Sequence, residues 1–293
     1  MEELHKPVLE KEVLAGLNPR EGESYLDLTA GYGGHASKIL DVTKNYKDAV
    51  LIDRDRFAYE YLQKKFSEKS VEVVNDDFYS ASLQLVESGK TFDLVLGDFG
   101  VSSLQLDDKS RGFAFAADAP LDMRMDRRQE LTAERVVNKW SEKELVRIFV
   151  EYGEEPLKFA ELVAHKIVVG RPWQSTAELA GKIAEGAWRG KVHPATRIFQ
   201  SIRIVVNDEL GLIERMLPLL PALLNEGGRV ALISFHSLED RLVKNYLREM
   251  ASRGEESELK ILTKKAIVAS REELVINPRA RSAKLRVAER VRA

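Results

Sequence analysis

The chain has 293 residues and a mass of 33.1 kDa, with 44% apolar and 31% charged residues. This is the make-up of a globular protein of one large domain or two modest ones, and it excludes a disordered tail or a mini-scaffold. Cysteine is absent, which excludes disulfides, thiolate metal centres and cysteine nucleophiles together. The net charge is −2, but basic residues gather in two places: eight Lys/Arg against three Glu from Pro156 to Val206, and six against one from Ile276 to Ala293. Such segments are either solvated faces or a local phosphate-binding surface. No apolar run approaches the roughly 18–20 residues of a membrane span. Met1-Glu2-Glu3-Leu4-His5 lacks the basic start and apolar stretch of a signal peptide, so a cytoplasmic protein with no membrane partner is expected.

In chain order, Ser24–Ala30, Ala49–Asp55, Val71–Asp77 and Phe92–Asp98 read as short strands alternating with helical patterns. That punctuation predicts a parallel sheet covered by helices on both faces. From Arg111 to Arg215 the strand signal disappears, and Ala133–Asn138, Glu142–Tyr152, Leu157–Val169, Thr176–Arg189 and Thr196–Leu220 carry helical periodicity, with a capping signal at Ser141-x-x-Glu144. Gly228–Phe235 then reads as a buried strand, and Leu259–Val268 and Ala283–Val291 as an antiparallel pair at one edge. The expected organisation is an α/β domain formed by residues 1–110 and 216–293, interrupted by an all-helical insert over 111–215.

The first strand runs into Asp27-Leu28-Thr29-Ala30-Gly31-Tyr32-Gly33-Gly34-His35-Ala36, in which Gly31, Gly33 and Ala36 fit G-x-G-x-x-[GA] between a strand and a helix. The pattern suits a dinucleotide, a nucleoside or simply a turn that needs positive φ. Asp53, twenty residues past Gly33 at the end of the second strand, is placed to accept ribose hydroxyls. Asp27 would repel a pyrophosphate but attract an ammonium or sulfonium. A ribose, an adenine and two cationic groups together describe S-adenosylmethionine (AdoMet) better than NAD. After the third strand, Asn75-Asp76-Asp77-Phe78 could bracket an adenine, although an aromatic there serves equally as core.

The fourth strand ends in Gly97-Asp98-Phe99-Gly100-Val101-Ser102-Ser103, which puts an acid and a flexible loop at the carboxyl edge of the sheet, where open α/β sheets bind ligands. Ser234-Phe235-His236-Ser237-Leu238-Glu239-Asp240 gathers Ser, His and Asp, but hydrolase triads assemble from separate segments and G-x-S-x-G is missing. A polar loop and helix cap is the plainer reading. The five His are scattered and the carboxylates lack metal-loop spacing, so no metal site is expected.

Several longer segments go further: His5-Lys6-Pro7-Val8-Leu9, Gly31–His35, Asp98–Asp107, Arg111-Gly112-Phe113, Pro120–Met125, Tyr152–Glu155, His193–Gln200, Arg203–Leu210, Ser234–Arg241 and Asn277–Arg286. Together they resemble the bacterial MraW/RsmH family of small-subunit ribosomal RNA methyltransferases, from about residue 5 to residue 290. The resemblance implies a Rossmann-like class I AdoMet-dependent methyltransferase with an inserted helical domain. It further implies methyl transfer to the exocyclic N4 of one cytidine in the decoding region of 16S rRNA, within the small ribosomal subunit.

By motif, cofactor contacts fall on Gly33, Gly34, His35, Asp53, Phe78, Asp98 and Gln105, and Asp27 joins them on charge grounds. Asp98 is the candidate catalytic group, either binding cofactor or assisting proton loss. Many amino-methyltransferases carry Asn/Asp-Pro-Pro-Tyr at this point, whereas Asp98-Phe99-Gly100-Val101 keeps the acid and an aromatic without the prolines. Carbon-5 methylation of cytosine, which normally needs a cysteine, is excluded. His193, Arg197 and Arg203, with Arg279, Arg281 and Arg286 near the C-terminus, are expected to contact RNA phosphates or else to pair with carboxylates. The alternatives are an AdoMet-fold assembly factor without turnover and an NAD-dependent oxidoreductase.

Overall fold

The computed structural model describes residues 7–116, 118–186 and 193–291. His5 and Lys6 of the first motif, the end of the expected helix Thr176–Arg189 and Arg292 of the C-terminal basic segment lie outside the described residues. The chain divides into two compact units, residues 1–100 with 210–293, and residues 101–209. The expected junctions at 110/111 and 215/216 therefore sit ten residues late at one end and six late at the other.

In the first unit the order is α1 (Glu10–Leu17), β1 (Tyr25–Asp27), α2 (Gly34–Thr43), β2 (Ala49–Ile52), α3 (Arg56–Lys65), β3 (Glu72–Val74), α4 (Phe78–Glu87) and β4 (Phe92–Asp98). The second unit carries α5 (Ser103–Asp107), α6 (Ala133–Lys139), α7 (Glu142–Glu151), α8 (Leu157–Val169), α9 (Thr176–Ala184) and α10 (Ala195–Asn207). There follow α11 (Glu209–Met216), α12 (Leu220–Leu223), β5 (Leu224–Ser234), α13 (Ser237–Ala251), β6 (Leu259–Ile261), α14 (Arg271–Ile276) and β7 (Lys284–Arg290).

The seven strands form one sheet in the order β3-β2-β1-β4-β5-β7-β6. The first five are parallel, and β7 runs antiparallel to both β5 and β6. This is the Rossmann-like class I arrangement with its antiparallel edge. Alternation along each strand gives both faces an apolar set. Leu26, Val50, Ile52, Val95 and Val230 pack on one side with Leu85, Leu220 and Val243. Tyr25, Leu51, Leu94, Leu96 and Ile233 pack on the other with Val13, Leu17, Ile39 and Leu40. The chain leaves β1 toward β2 on one side and returns to β4 on the other. The loops after β1 and β4 thus diverge, which makes their carboxyl ends the natural place for a ligand.

The second unit has its own core, built from residues such as Val136, Leu145, Phe149, Val163, Ile167, Leu179, Ile198 and Ile202 of α6 to α10. Ser141 and Glu144 form the expected capping box at the start of α7. The helix predicted over Thr196–Leu220 is broken into α10, α11, a 3₁₀ turn and α12. Asp208 takes a left-handed conformation (φ 48°, ψ 38°) and ends α10, a conformation that a short polar residue tolerates better than most. Pro218 and Pro221 fall at the starts of the next two turns, where a missing N–H costs least. Among the described residues no helix is long and apolar enough to cross a membrane.

Candidate active site

The glycine loop supplies the first wall of the site. Gly31 and Gly33 have φ of +54° and +70°, and Gly33 is the N-cap of α2, so left-handed backbone turns the chain from strand into helix. A Cβ on Gly33 would lie 3.0 Å from Leu62 Cδ2, and one on Gly34 would lie 2.8 Å from Pro7 Cγ. Both glycines therefore also answer to close packing. Lys65 reaches back from the end of α3 and donates to the carbonyl oxygens of Tyr32 and Gly33, each at 3.0 Å.

Three carboxylates line the carboxyl ends of β1, β2 and β4. Asp27, the last residue of β1, is buried. Its Oδ2 accepts from the Tyr25 hydroxyl at 2.7 Å and its Oδ1 from the Thr29 N–H at 3.1 Å. Burial pushes its carboxyl up to about 7, against the pull of those two donors. Asp53 follows β2 and accepts from the N–H groups of Gly31 and Asp55, both at 2.8 Å. Burial again dominates and raises it to about 6. Each of its oxygens keeps a lone pair in reserve, so it can still accept from a ribose.

Asp98 closes β4. Its N–H donates to the Thr29 hydroxyl at 2.6 Å, its Oδ2 lies 3.8 Å from His35 Nε2, and its buried Oδ1 has no hydrogen-bond partner among the described residues. Desolvation, then the charges of Asp27 and Glu239, hold its carboxyl well above the usual range. Phe78 begins α4 with its ring 5.5 Å from that of Phe99, centre to centre, and Asn75 ties the neighbouring loops by donating to the carbonyls of Asp53 and Arg54. Ser234-Phe235-His236 forms no triad: Glu239 accepts from the N–H groups of Phe235 and His236, and His236 caps α13.

The sheet unit thus brings together Asp27, Gly33, Gly34, His35, Asp53, Phe78 and Asp98. Tyr25, Thr29 and Lys65 join them, and none of the three was predicted. Tyr25 lies two residues before Asp27, a spacing that puts both on one face of β1, and that spacing is the signal that could have found it. Gln105 lies in the helical unit, buried, where its side chain accepts from the Ser102 N–H in the capping box of α5.

Of the predicted RNA-contacting residues, His193, Arg197 and Arg203 belong to the helical unit, and Arg279, Arg281 and Arg286 to the sheet unit. His193 accepts from the Ala195 N–H at 3.2 Å and stacks on Phe115 with ring centres 4.9 Å apart. Arg197 is exposed on α10. Arg203 takes the second of the two expected roles, pairing with a carboxylate. Its Nε and Nη2 donate to the two oxygens of buried Glu209, both at 2.8 Å, so the carboxylate already occupies the fork that a phosphate would need. Arg286 is likewise bound, through Nε, to Asp240 at 2.7 Å.

A glycine loop and three carboxylates at the topological switch point of a 3-2-1-4-5-7-6 sheet are the arrangement of a methyltransferase of the Rossmann-like class. The family model described as the MraW methylase family matches residues 2–291, and the chain belongs to that family. Relatives named ribosomal RNA small subunit methyltransferase H are similar over nearly their whole length. The protein from Nostoc sp. is 47% identical, covering 98% of this chain and 92% of its own. That from Cyanothece sp. is 48% identical, covering 99% and 96%. That from Synechocystis sp. is 46% identical, covering 98% and 93%.

Proposed function

We propose that this chain transfers the methyl group of AdoMet to the exocyclic N4 of a single cytidine in the decoding region of 16S rRNA, in the small ribosomal subunit and in the cytoplasm. The observation that carries the cofactor is the pair of buried and half-buried acids with no Lys or Arg partner among the described residues. Among the described residues no Lys or Arg pairs with Asp27 or Asp98, and Asp98 Oδ1 is orphaned. A buried carboxyl in that state calls for a cation or a donor from a ligand. The relatives' shared name supports the RNA as acceptor.

AdoMet, when bound, supplies an electrophilic methyl on a sulfonium. Asp27 would face its cationic groups, Asp53 would accept its ribose hydroxyls, Gly33 and Gly34 would let it approach the backbone, and Phe78 would border its base. Transfer forms a C–N bond, breaks the C–S bond with its electron pair left on sulfur, and frees one proton from the amine. Cytosine N4 is a poor nucleophile because its lone pair is delocalised into the ring, so orientation supplies much of the rate. Asp98, at the end of the β4 strand, is the acceptor for the amine hydrogen. The target base must leave its stack to be reached; His193 and Arg197 of the helical unit are proposed to hold RNA phosphates, and so are Arg279 and Arg281 of the sheet unit.

The test is incorporation of labelled methyl from AdoMet into small subunits lacking the modification, followed by digestion to nucleosides and mass analysis. N4-methylcytidine at one site is expected. AdoMet binding without incorporation into subunits or free 16S rRNA would instead favour the assembly-factor reading.

A further inference from the structure

The acids at the ends of β1 and β4 are built as one unit. Thr29 touches both: its N–H donates to Asp27 Oδ1 and its hydroxyl accepts from the Asp98 N–H. Tyr25, fully buried one turn of the pleat earlier, donates its hydroxyl to Asp27 Oδ2 at 2.7 Å. Among the described residues every donor to Asp27 is therefore neutral. The ionisable groups facing the pair are Tyr25 on β1, Asp53 after β2, His35 on α2 and Glu239 on α13. Only His35 among them can carry positive charge, and it lies 3.8 Å from Asp98 rather than in a tight ion pair.

We propose that Asp27 and Asp98, with Tyr25 orienting Asp27, form a proton-exchanging pair that distinguishes the cationic methyl donor from its spent product. The inference rests on the methyl-donor reading above. Before the donor arrives, the pair holds a proton at neutral pH, because buried Asp27 and half-buried Asp98, tied together through Thr29, cannot both ionise cheaply. A sulfonium and an ammonium stabilise the charged form, so that proton leaves to solvent on binding. Once the methyl has moved, the sulfur is an uncharged thioether and only the ammonium remains. The pair regains its appetite for a proton at the moment the amine has one to lose: the N–H electrons stay on nitrogen and the proton passes to the Asp98 carboxylate. Product release then begins from a site whose charge has already been reset.

Calorimetric titration of the full chain with AdoMet and with S-adenosylhomocysteine, at several pH values and in buffers of different protonation enthalpy, tests this directly. Between about pH 6 and 7, AdoMet is expected to release about half to one proton per molecule bound and the homocysteine product distinctly less, with the difference vanishing by about pH 9. The AdoMet-to-product affinity ratio should rise at least about threefold over the same range. Tyr25→Phe keeps the ring, removes one donor to the Asp27 carboxylate and should move proton release to higher pH. A folded Tyr25→Phe protein with an unmoved profile would remove Tyr25 from the device. AdoMet binding whose heat is independent of buffer overturns the proposal while leaving the methyl-donor reading in place. Failure of AdoMet to bind at any pH overturns both.

Discussion

In the helical unit Arg203 meets buried Glu209 through two 2.8 Å bonds, Arg124 meets Asp122 at 2.7 Å, and buried Arg111 donates to the carbonyls of Arg124 and Met125. In the sheet unit Asp27, Asp53 and Asp98 are buried or half-buried, and among the described residues no Lys or Arg hydrogen-bonds to them: Asp27 and Asp53 accept from hydroxyl and backbone donors, and Asp98 lies 3.8 Å from His35. Burying charge is costly in both places. Where the chain neutralises it from within, the result is a fixed loop or a joint between helices. Where the chain leaves it, the missing counter-charge marks what the protein is built to receive.

The strongest way to break this contrast is Asp98→Asn, which keeps shape and removes the base. Methyl incorporation should fall by about 100- to 1,000-fold, with the unfolding transition little changed. A variant retaining more than about a third of the wild-type rate would dismiss Asp98 from proton transfer.

Next in size is the opposite case, Arg203→Ala, which strands the Glu209 carboxylate. It should destabilise the protein by about 3 kcal/mol in urea unfolding. Should the loss instead be only a few tenths of a kcal/mol, with RNA affinity falling sharply, the original phosphate role would be restored.

The pH dependence of stability separates the two kinds of acid. Asp27 and Asp53 have folded values of about 7 and 6, above those of an unfolded chain, so the folded protein binds more protons. Their contribution is complete below about pH 4 and is lost as pH rises through 6 and 7, at up to about 1.4 kcal/mol per pH unit for each group. Asp122 behaves inversely. Burial pushes it up, but hydrogen bonds from Arg124 outweigh that and hold it low, so its contribution is present above the unfolded value and lost as pH falls through the folded one. Denaturant midpoints from pH 4 to 8, with and without AdoMet, should show the first slope and its flattening by the ligand. A slope unaffected by saturating AdoMet would contradict the picture.

The smallest expected effect is that of Arg197→Ala, exposed on α10. RNA binding should weaken and the slope of log affinity against log salt should flatten by about 0.7–0.9. An unchanged slope in a folded protein would take Arg197 off the phosphate path.

Much of the sheet was legible because its strands are short apolar runs closed by acids, a pattern that buries both faces and announces where each strand stops. Asp27, Asp53 and Asp98 were readable for the same reason: each is the first polar residue after a β-rich run. The rest depended on contacts the chain does not advertise locally. Arg203 finds Glu209 only because Asp208 breaks the helix between them, and a continuous helix was the simpler prediction. Lys65 meets the glycine loop from 32 residues away, and Tyr25 becomes informative only once its hydroxyl is seen on Asp27.

The separation of β4 from β5 by the whole of residues 101–209 also bears on how the protein comes into being. During synthesis β1, β2, β3 and β4 emerge first, while β4, apolar from Leu94 to Leu96, waits with one edge open for a partner more than a hundred residues away. An unpaired apolar edge is the surface most prone to joining the wrong strand. The helices of the second unit, whose contacts are local, can form during that wait. Closing the β4–β5 seam is then the slow, long-range event of folding, and a nascent chain stalled before Leu224 would be the species most in need of a chaperone.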